Sequence, residues 1–260
     1  MRSALLIVSA FLLTALPSRP ADAPAGMVLV PAGAFQMGCS QADTRCQADE
    51  RPAHRVLLDA FFIDRTEVTA AAYGRCVSAG RCTPPEIAEG CNWGKRGRQD
   101  HPVNCVSWQQ ADAYCRFAGG RLPTEAEWEK ACRGTDDRIY PWGPEPADCE
   151  RAVMVSTESG CGAQRTFPVC SHPAGNSPYG LCDMAGNVWE WVADWYAPTV
   201  YAQGPERIAP VGPPGGARKV LRGGSYFGIA RYLRASNRDA DPPGSQDNAI
   251  GFRCARDAKP

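Results

Sequence analysis

The residue types most able to do chemistry gather in Asp183-Met-Ala-Gly-Asn-Val-Trp-Glu-Trp191, where two carboxylates bracket a glycine turn. Asp183 and Glu190 are oxygen ligands of the kind calcium prefers, Gly186 permits the tight turn, and loop carbonyls between them can complete the shell. A second reading stays open from these residues alone: both carboxylates satisfy turn amides and hold no ion. Trp189, Trp191 and Trp195 fall on or near alternate positions, which predicts a short extended segment burying large aromatic area beneath loops.

Several other chemistries lack their residues. With only His54, His101 and His172, and no Cys-x-x-Cys, neither a zinc ribbon nor a His-rich iron or copper site has its ligands. Ser225 sits in Gly-Gly-Ser-Tyr with no histidine downstream, which argues against a nucleophilic triad. Gly212-Pro-Pro-Gly-Gly216 lacks the Lys-Ser/Thr ending of a phosphate loop, and its prolines remove amides that would bind phosphate. The 28 Lys and Arg balance 28 Asp and Glu with no basic arm, so no nucleic-acid partner is expected.

The elements that must position these residues are short. Met27–Pro31 and Phe35–Met37 are strand candidates, Val56–Ile63 reads as one buried strand, and a helix is expected over Ala70–Ala79, ended by Gly80. Arg81–Asn104, with Pro84-Pro85 and three glycines, reads as an irregular surface excursion in which function can sit. Ser107-Trp-Gln-Gln110 and Thr124-Glu-Ala-Glu127 fit the capping-box pattern of two further helices, whose Trp108/Ala111/Cys115/Ala118 and Trp128/Cys132 stripes read as core. Gly134–Pro178 is expected as loops stapled by Cys149, Cys161, Cys170 and Cys182, and Tyr201–Gly216 as a surface loop. Val220–Phe227, bent at its glycines, and Ala249–Ala255 are the last strands. Few helices, many short strands and long loops point to α+β.

Met1-Arg2, the apolar run Ala4–Leu16 and Ala21-Asp22-Ala23 have the form of a secretory signal. Residues 1–23 are therefore expected as signal and 24–260 as one domain, exported to a periplasm or secreted, with no stable membrane insertion after signal removal. The run is too short to span comfortably. The 13 cysteines agree with an oxidising compartment; Cys39 and Cys46 can close the Cys39–Arg51 loop, and the odd count leaves at least one thiol over. A monomer is expected.

Taken in order, Met27-Val-Leu-Val-Pro-Ala-Gly-Ala-Phe-Gln-Met-Gly38, Glu67-Val-Thr69, Pro102-Val-Asn-Cys-Val-Ser-Trp108, Gly120–Glu129, Pro141-Trp-Gly143, Tyr179-Gly-Leu181, Asp183–Trp191, Arg222-Gly-Gly-Ser225 and Gly251-Phe-Arg253 resemble the formylglycine-generating enzyme, or sulfatase-modifying factor, family. The resemblance implies a modified C-type-lectin-like fold, often calcium-bound. It assigns side-chain calcium ligands to Asp183 and Glu190 and carbonyl ligands to Gly186 and Val188, pairs Cys115 with Cys254, leaves Cys132 as the candidate unpaired thiol, and places Glu67, Ser225 and Arg238 in the pocket. As isolated residues these last three also read as a strand-edge hydroxyl and a structural ion pair. The family's second calcium site has no counterpart around Ala152–Gly162.

The departure lies in Gly224–Arg238, which contains no cysteine, whereas formylglycine generators carry there two cysteines that bind copper(I). Soft thiolates select copper(I), so copper is not expected. The expected function is binding of a peptide, protein or small-molecule ligand in the cleft. An alternative is a cysteine-independent enzyme maturing exported small molecules, with Glu67 and Arg238 in acid/base and anchoring roles. Oxidation of a sulfatase cysteine to formylglycine ranks last. The ergothioneine-pathway oxygenases of this fold need a His-rich iron domain that this chain lacks.

Overall fold

A computed structural model describes residues 23–155, 161, 164–204 and 206–258. The expected signal, apart from Ala23, lies outside the described residues. The strands form three small sheets. In one, β1 (Met27–Val30) and β10 (Ala255–Asp257) flank β4 (Phe61–Asp64), both antiparallel to it. In the second, β3 (His54–Leu58) pairs antiparallel with β2 (Gly33–Met37) and parallel with β6 (Glu206–Ile208). The third runs β8 (Asp239–Asp241), β7 (Lys219–Arg222), β5 (Trp189–Trp195), β9 (Ile250–Gly251). With three short α-helices, this is the α+β arrangement of low regularity that the chain's pattern predicts and the C-type-lectin-like fold that the resemblance implies.

The capping motifs do what their chemistry dictates. α1 (Ala70–Ser78) starts where the Thr69 hydroxyl accepts from the Ala72 amide. α2 (Trp108–Phe117) and α3 (Glu125–Arg133) both have complete capping boxes, Ser107 with Gln110 and Thr124 with Glu127. Each cap satisfies otherwise orphaned amides and contributes about 1 kcal/mol. All nine residues of α3 are buried, with Trp128 and Cys132 in a core shared with β2, β3 and Val220. A second core joins Tyr73, Tyr114, Trp191 and Phe252.

Four expectations need correction. Val220–Phe227 is a strand only as far as Arg222, because Gly223 and Gly224 take positive φ and turn the chain out of the ladder. Val56–Ile63 is two strands, because Asp59-Ala60 breaks the run and the halves pair with different sheets. Ala249–Ala255 is likewise split. Its middle residues serve side-chain contacts instead of a ladder: Arg253 meets Glu190 and Cys254 is bonded to Cys115. The Tyr201–Gly216 loop is not wholly irregular, since β6 extends the β2–β3 sheet.

Disulfides join Cys39–Cys46, Cys76–Cys82, Cys91–Cys105, Cys115–Cys254, Cys149–Cys161 and Cys170–Cys182. Cys132 alone is free, and it is buried. Six bridges suit an oxidising compartment. No helix among the described residues is long and apolar enough to cross a membrane.

Candidate functional site

Asp183 and Asn187 hold left-handed backbone at φ 54° and 60°, with Gly186 at 86° between them. These values wind the turn tightly ahead of β5. A Cβ on Gly186 would lie 2.4 Å from the Val153 carbonyl oxygen, so only glycine fits this approach. Trp191 is wholly buried and donates its indole N–H to the Val106 carbonyl at 3.0 Å, which ties β5 to the segment before α2.

The structure sorts the carboxylates of this region into two groups. Glu190 is buried, and both oxygens are engaged: Arg253 reaches them at 2.6 and 2.7 Å, and the Trp128 indole donates to Oε2 at 2.8 Å. Asp183 takes the Cys170 amide on Oδ2 at 2.6 Å and stands against Glu67. Glu67 accepts from Asn187 Nδ2 at 3.0 Å, and its other oxygen is buried with no partner among the described residues. Burial, then repulsion from Asp183, pushes the Glu67 carboxyl well above its usual range, with Arg253 opposing. Burial raises Asp183 too, against the pull of the Cys170 amide.

Two adjacent buried acids with an orphaned oxygen fit a hard cation. The Gly186 and Val188 carbonyls accept no hydrogen bond from the described residues, which leaves their lone pairs for the same ion. Of the expected ligand set, Asp183, Gly186 and Val188 therefore fit, while Glu190 is committed to Arg253 and Glu67 presents the open carboxylate. No group of three or more His, Cys, Asp or Glu side chains suited to a metal occurs among the described residues.

No two of the three expected pocket residues share a hydrogen bond, although Glu67 accepts from Asn187, whose carbonyl accepts from the amide of Tyr226, next to Ser225. The Ser225 hydroxyl accepts from the Phe227 amide within its own turn, and Arg238 is paired with Glu125 at 2.7 and 2.9 Å beneath Tyr196 and Tyr201. The Glu67–Arg238 partnership is thus not formed; Arg238 instead lines a recess of about 260 Å³ with Tyr232 and Arg218.

Beside Ser225 a larger cleft of about 410 Å³ opens, lined by Asn92, Lys95, Arg98, Arg165, Tyr226, Phe227 and Asn248 among others. A polar lattice fixes its walls. Asn92 donates to Thr166 Oγ1 and the Pro102 carbonyl, at 2.9 and 2.8 Å, and its amide reaches Asn104 Oδ1 at 2.7 Å. Asn104 donates to the Asn248 carbonyl at 2.5 Å, and Tyr226 to Asn248 Oδ1 at 3.0 Å. His101 meets Thr166 Oγ1 at 2.9 Å, and the Arg98 guanidinium donates toward the His101 ring at 3.1 Å and the Thr166 carbonyl at 3.3 Å. Burial, then the Arg98 and Arg165 charges, depresses the His101 pKa to about 4, so the ring is neutral at pH 7 and can accept from Arg98. Burial and the neighbouring Arg165 also lower Arg98 from its usual value.

The Arg81–Asn104 excursion supplies most of the cationic wall. Sequence reasoning located it but singled out none of Asn92, Lys95 or Arg98, and named His101 only in excluding a metal site, because nothing in their local spacing announces partners at 165, 166, 226 and 248.

The sulfatase-modifying factor enzyme 1-like domain matches residues 13–258. The chain is 39% identical to the formylglycine-generating enzyme of Streptomyces coelicolor over 90% of each chain. It is 36% identical to that of Bos taurus over 91% of this chain and 76% of the other. Hercynine oxygenase of Mycobacterium tuberculosis is 36% identical over 86% of this chain and 59% of its own. Among solved structures, PvdO from Pseudomonas aeruginosa superposes with TM-score 0.76 at 26% identity, over 89% of this chain and 94% of the other. Treponema denticola variable protein 1 superposes with TM-score 0.71 at 28% identity, over the same shares.

Proposed function

Since the chain belongs to the sulfatase-modifying factor family, we propose that it uses the family scaffold to bind a peptide or protein partner, outside the cytoplasm, in the cleft beside Tyr226 and Phe227. The observation that carries this reading is the cleft: preformed, about 410 Å³, walled by a hydrogen-bonded lattice, with Phe227 53% exposed at its edge. Copper(I) chemistry of the formylglycine generators calls for a thiolate pair. The Ser225–Arg238 segment has no cysteine, and Cys132, raised by burial to about 12, is held as a thiol. Export is supported by the six bridges and by the signal-like residues 1–23.

Calcium is proposed as the structural ion, held by Asp183, Glu67 and the Gly186 and Val188 carbonyls. When bound, it supplies the positive charge that keeps both acids ionised. Asn187 orients Glu67, the Cys170–Cys182 bridge fixes the amide that aims Asp183, and Arg253 neutralises Glu190 behind them.

The test uses the calcium-loaded protein and its Phe227→Asp variant as baits in extract of the export compartment. A partner retained by the first and lost by the second supports the reading. No such partner, together with turnover of a small substrate, overturns it. Incubation of a Cys-x-Pro-x-Arg peptide with copper(I) and the protein should leave the thiol mass unchanged.

A second reading, a cysteine-independent enzyme, is favoured by the Glu67–Asp183 pair, because two carboxyls with raised pKa values are the equipment of acid/base catalysis. It is abandoned if Glu67→Gln leaves the cellular phenotype untouched.

A further inference from the structure

Lys95, Arg98 and Arg165 line one wall region of the cleft, and none makes a salt bridge with a described residue. The described carboxylate lining the same cleft, Glu89, pairs with none of them. The fully buried arginines are handled differently: Arg222, Arg234, Arg238 and Arg253 each sit against Glu or Asp. Gathering like charges without a counter-charge costs free energy in the unliganded protein, and an incoming anion recovers it. The cluster is also built. Arg98 is half-buried and fixed by His101 and the Thr166 carbonyl, which turns its planar fork into a prepared receptor for a two-oxygen anion.

The other wall is apolar and extended. Phe227 lines the cleft at 53% exposure, and the same loop continues through Ile229, 47% exposed, to Tyr232, 37% exposed, at the edge of the recess that holds Arg218 and Arg231. An apolar ridge therefore runs along one loop from the cationic cleft to a recess of mixed charge, where Arg218 and Arg231 stand with Asp49 and Asp239, a layout that a chain can follow and a compact small molecule cannot.

Resting on the cleft reading above, we infer that the ligand is an extended acidic peptide, with a carboxylate seated between Lys95, Arg98 and Arg165 and an apolar side chain laid on Phe227.

The experiment titrates the full chain, loaded with calcium, with three acetylated seven-residue peptides by calorimetry: alternating Asp and Phe, alternating Asn and Phe, and alternating Lys and Phe. The Asp–Phe peptide is expected to bind at least tenfold more tightly than the Asn–Phe peptide, with the Lys–Phe peptide weakest. The difference should shrink at high salt. Lys95→Ala with Arg165→Ala should erase the preference for Asp over Asn while leaving the thermal midpoint in place, and Lys95→Arg with Arg165→Lys should keep it. Phe227→Asp should weaken the Asn–Phe peptide as well, which reads the cleft independently of its charge. Equal binding of all three peptides, or an Asp preference that survives the double alanine variant, overturns the inference; if Phe227→Asp still abolishes that binding, the cleft reading stands without it. Sodium sulfate binding as tightly as the Asp–Phe peptide overturns the peptide assignment. No binding by any peptide at millimolar concentration overturns the inference, and the capture experiment then decides the cleft reading alone.

Discussion

Arg222 and Arg165 illustrate two ways this molecule holds a positive charge. Arg222 is fully buried, bonded to Glu129 and to the carbonyls of Ala235, Ser236 and Asn237, at 2.7, 3.0 and 2.6 Å for the carbonyls. Arg165 is exposed in the cleft with no carboxylate partner among the described residues. The first kind of charge is consumed internally: it ties α3 to the chain after β7 and has no field left for a ligand. The second is left over, and leftover charge in a concave site is what a binding partner detects. For these two arginines, whether the charge is already answered, together with a place in a concave site, separates scaffold from site.

That division can be broken most severely from the core side. Arg222→Met should lower unfolding free energy by about 3–5 kcal/mol, because it takes the only cation from Glu129 Oε2, leaving Arg133 and the Gly38 amide on Oε1, and unpairs three buried carbonyls; denaturant unfolding of the disulfide-intact protein measures it, and a loss below about 1 kcal/mol would show the pair to be dispensable. The acid pair provides the next test. Chelation should lower the thermal midpoint, calcium at a hundredfold excess over its dissociation constant restoring about 2.7 kcal/mol, and Glu67→Gln should cut that response; equal midpoints with and without calcium would remove the ion from the account.

A smaller effect is expected at His101. Its folded pKa, about 4, lies below the usual 6.5, so the neutral ring's contribution is complete above pH 6.5 and is lost as pH falls toward 4, where the unfolded chain takes up the proton first. The stability advantage of wild type over His101→Asn should therefore shrink across that window. A constant advantage would disconnect the histidine from titration. Smallest of all, Lys95→Ala and Arg165→Ala should each move stability by no more than about 0.5 kcal/mol, and a larger loss would place these cations with the scaffold after all.

How much of this was legible depended on the range over which the signal acts. The capping boxes at Ser107 and Thr124 are three-residue devices, and both helices begin where those residues put them. The Asp183–Trp191 turn was visible because glycine and its flanking carboxylates lie within eight positions. Val56–Ile63 misled because a continuous apolar run does not reveal that Asp59-Ala60 hands the chain from one sheet to another. The Glu190–Arg253 pair was not visible at all, since Arg253 is 63 residues away and carries no local mark. The cleft was least accessible of all: its walls come from residues near 92, 165, 226 and 248, and only the fold brings them together.

Cys132 sits on α3 against the Met184 carbonyl, sealed from solvent and raised to about 12. Being the sole thiol outside a bridge, it makes the protein its own clock: a maleimide can add only while the interior gapes, so one mass increment per molecule would time each excursion of the core into water.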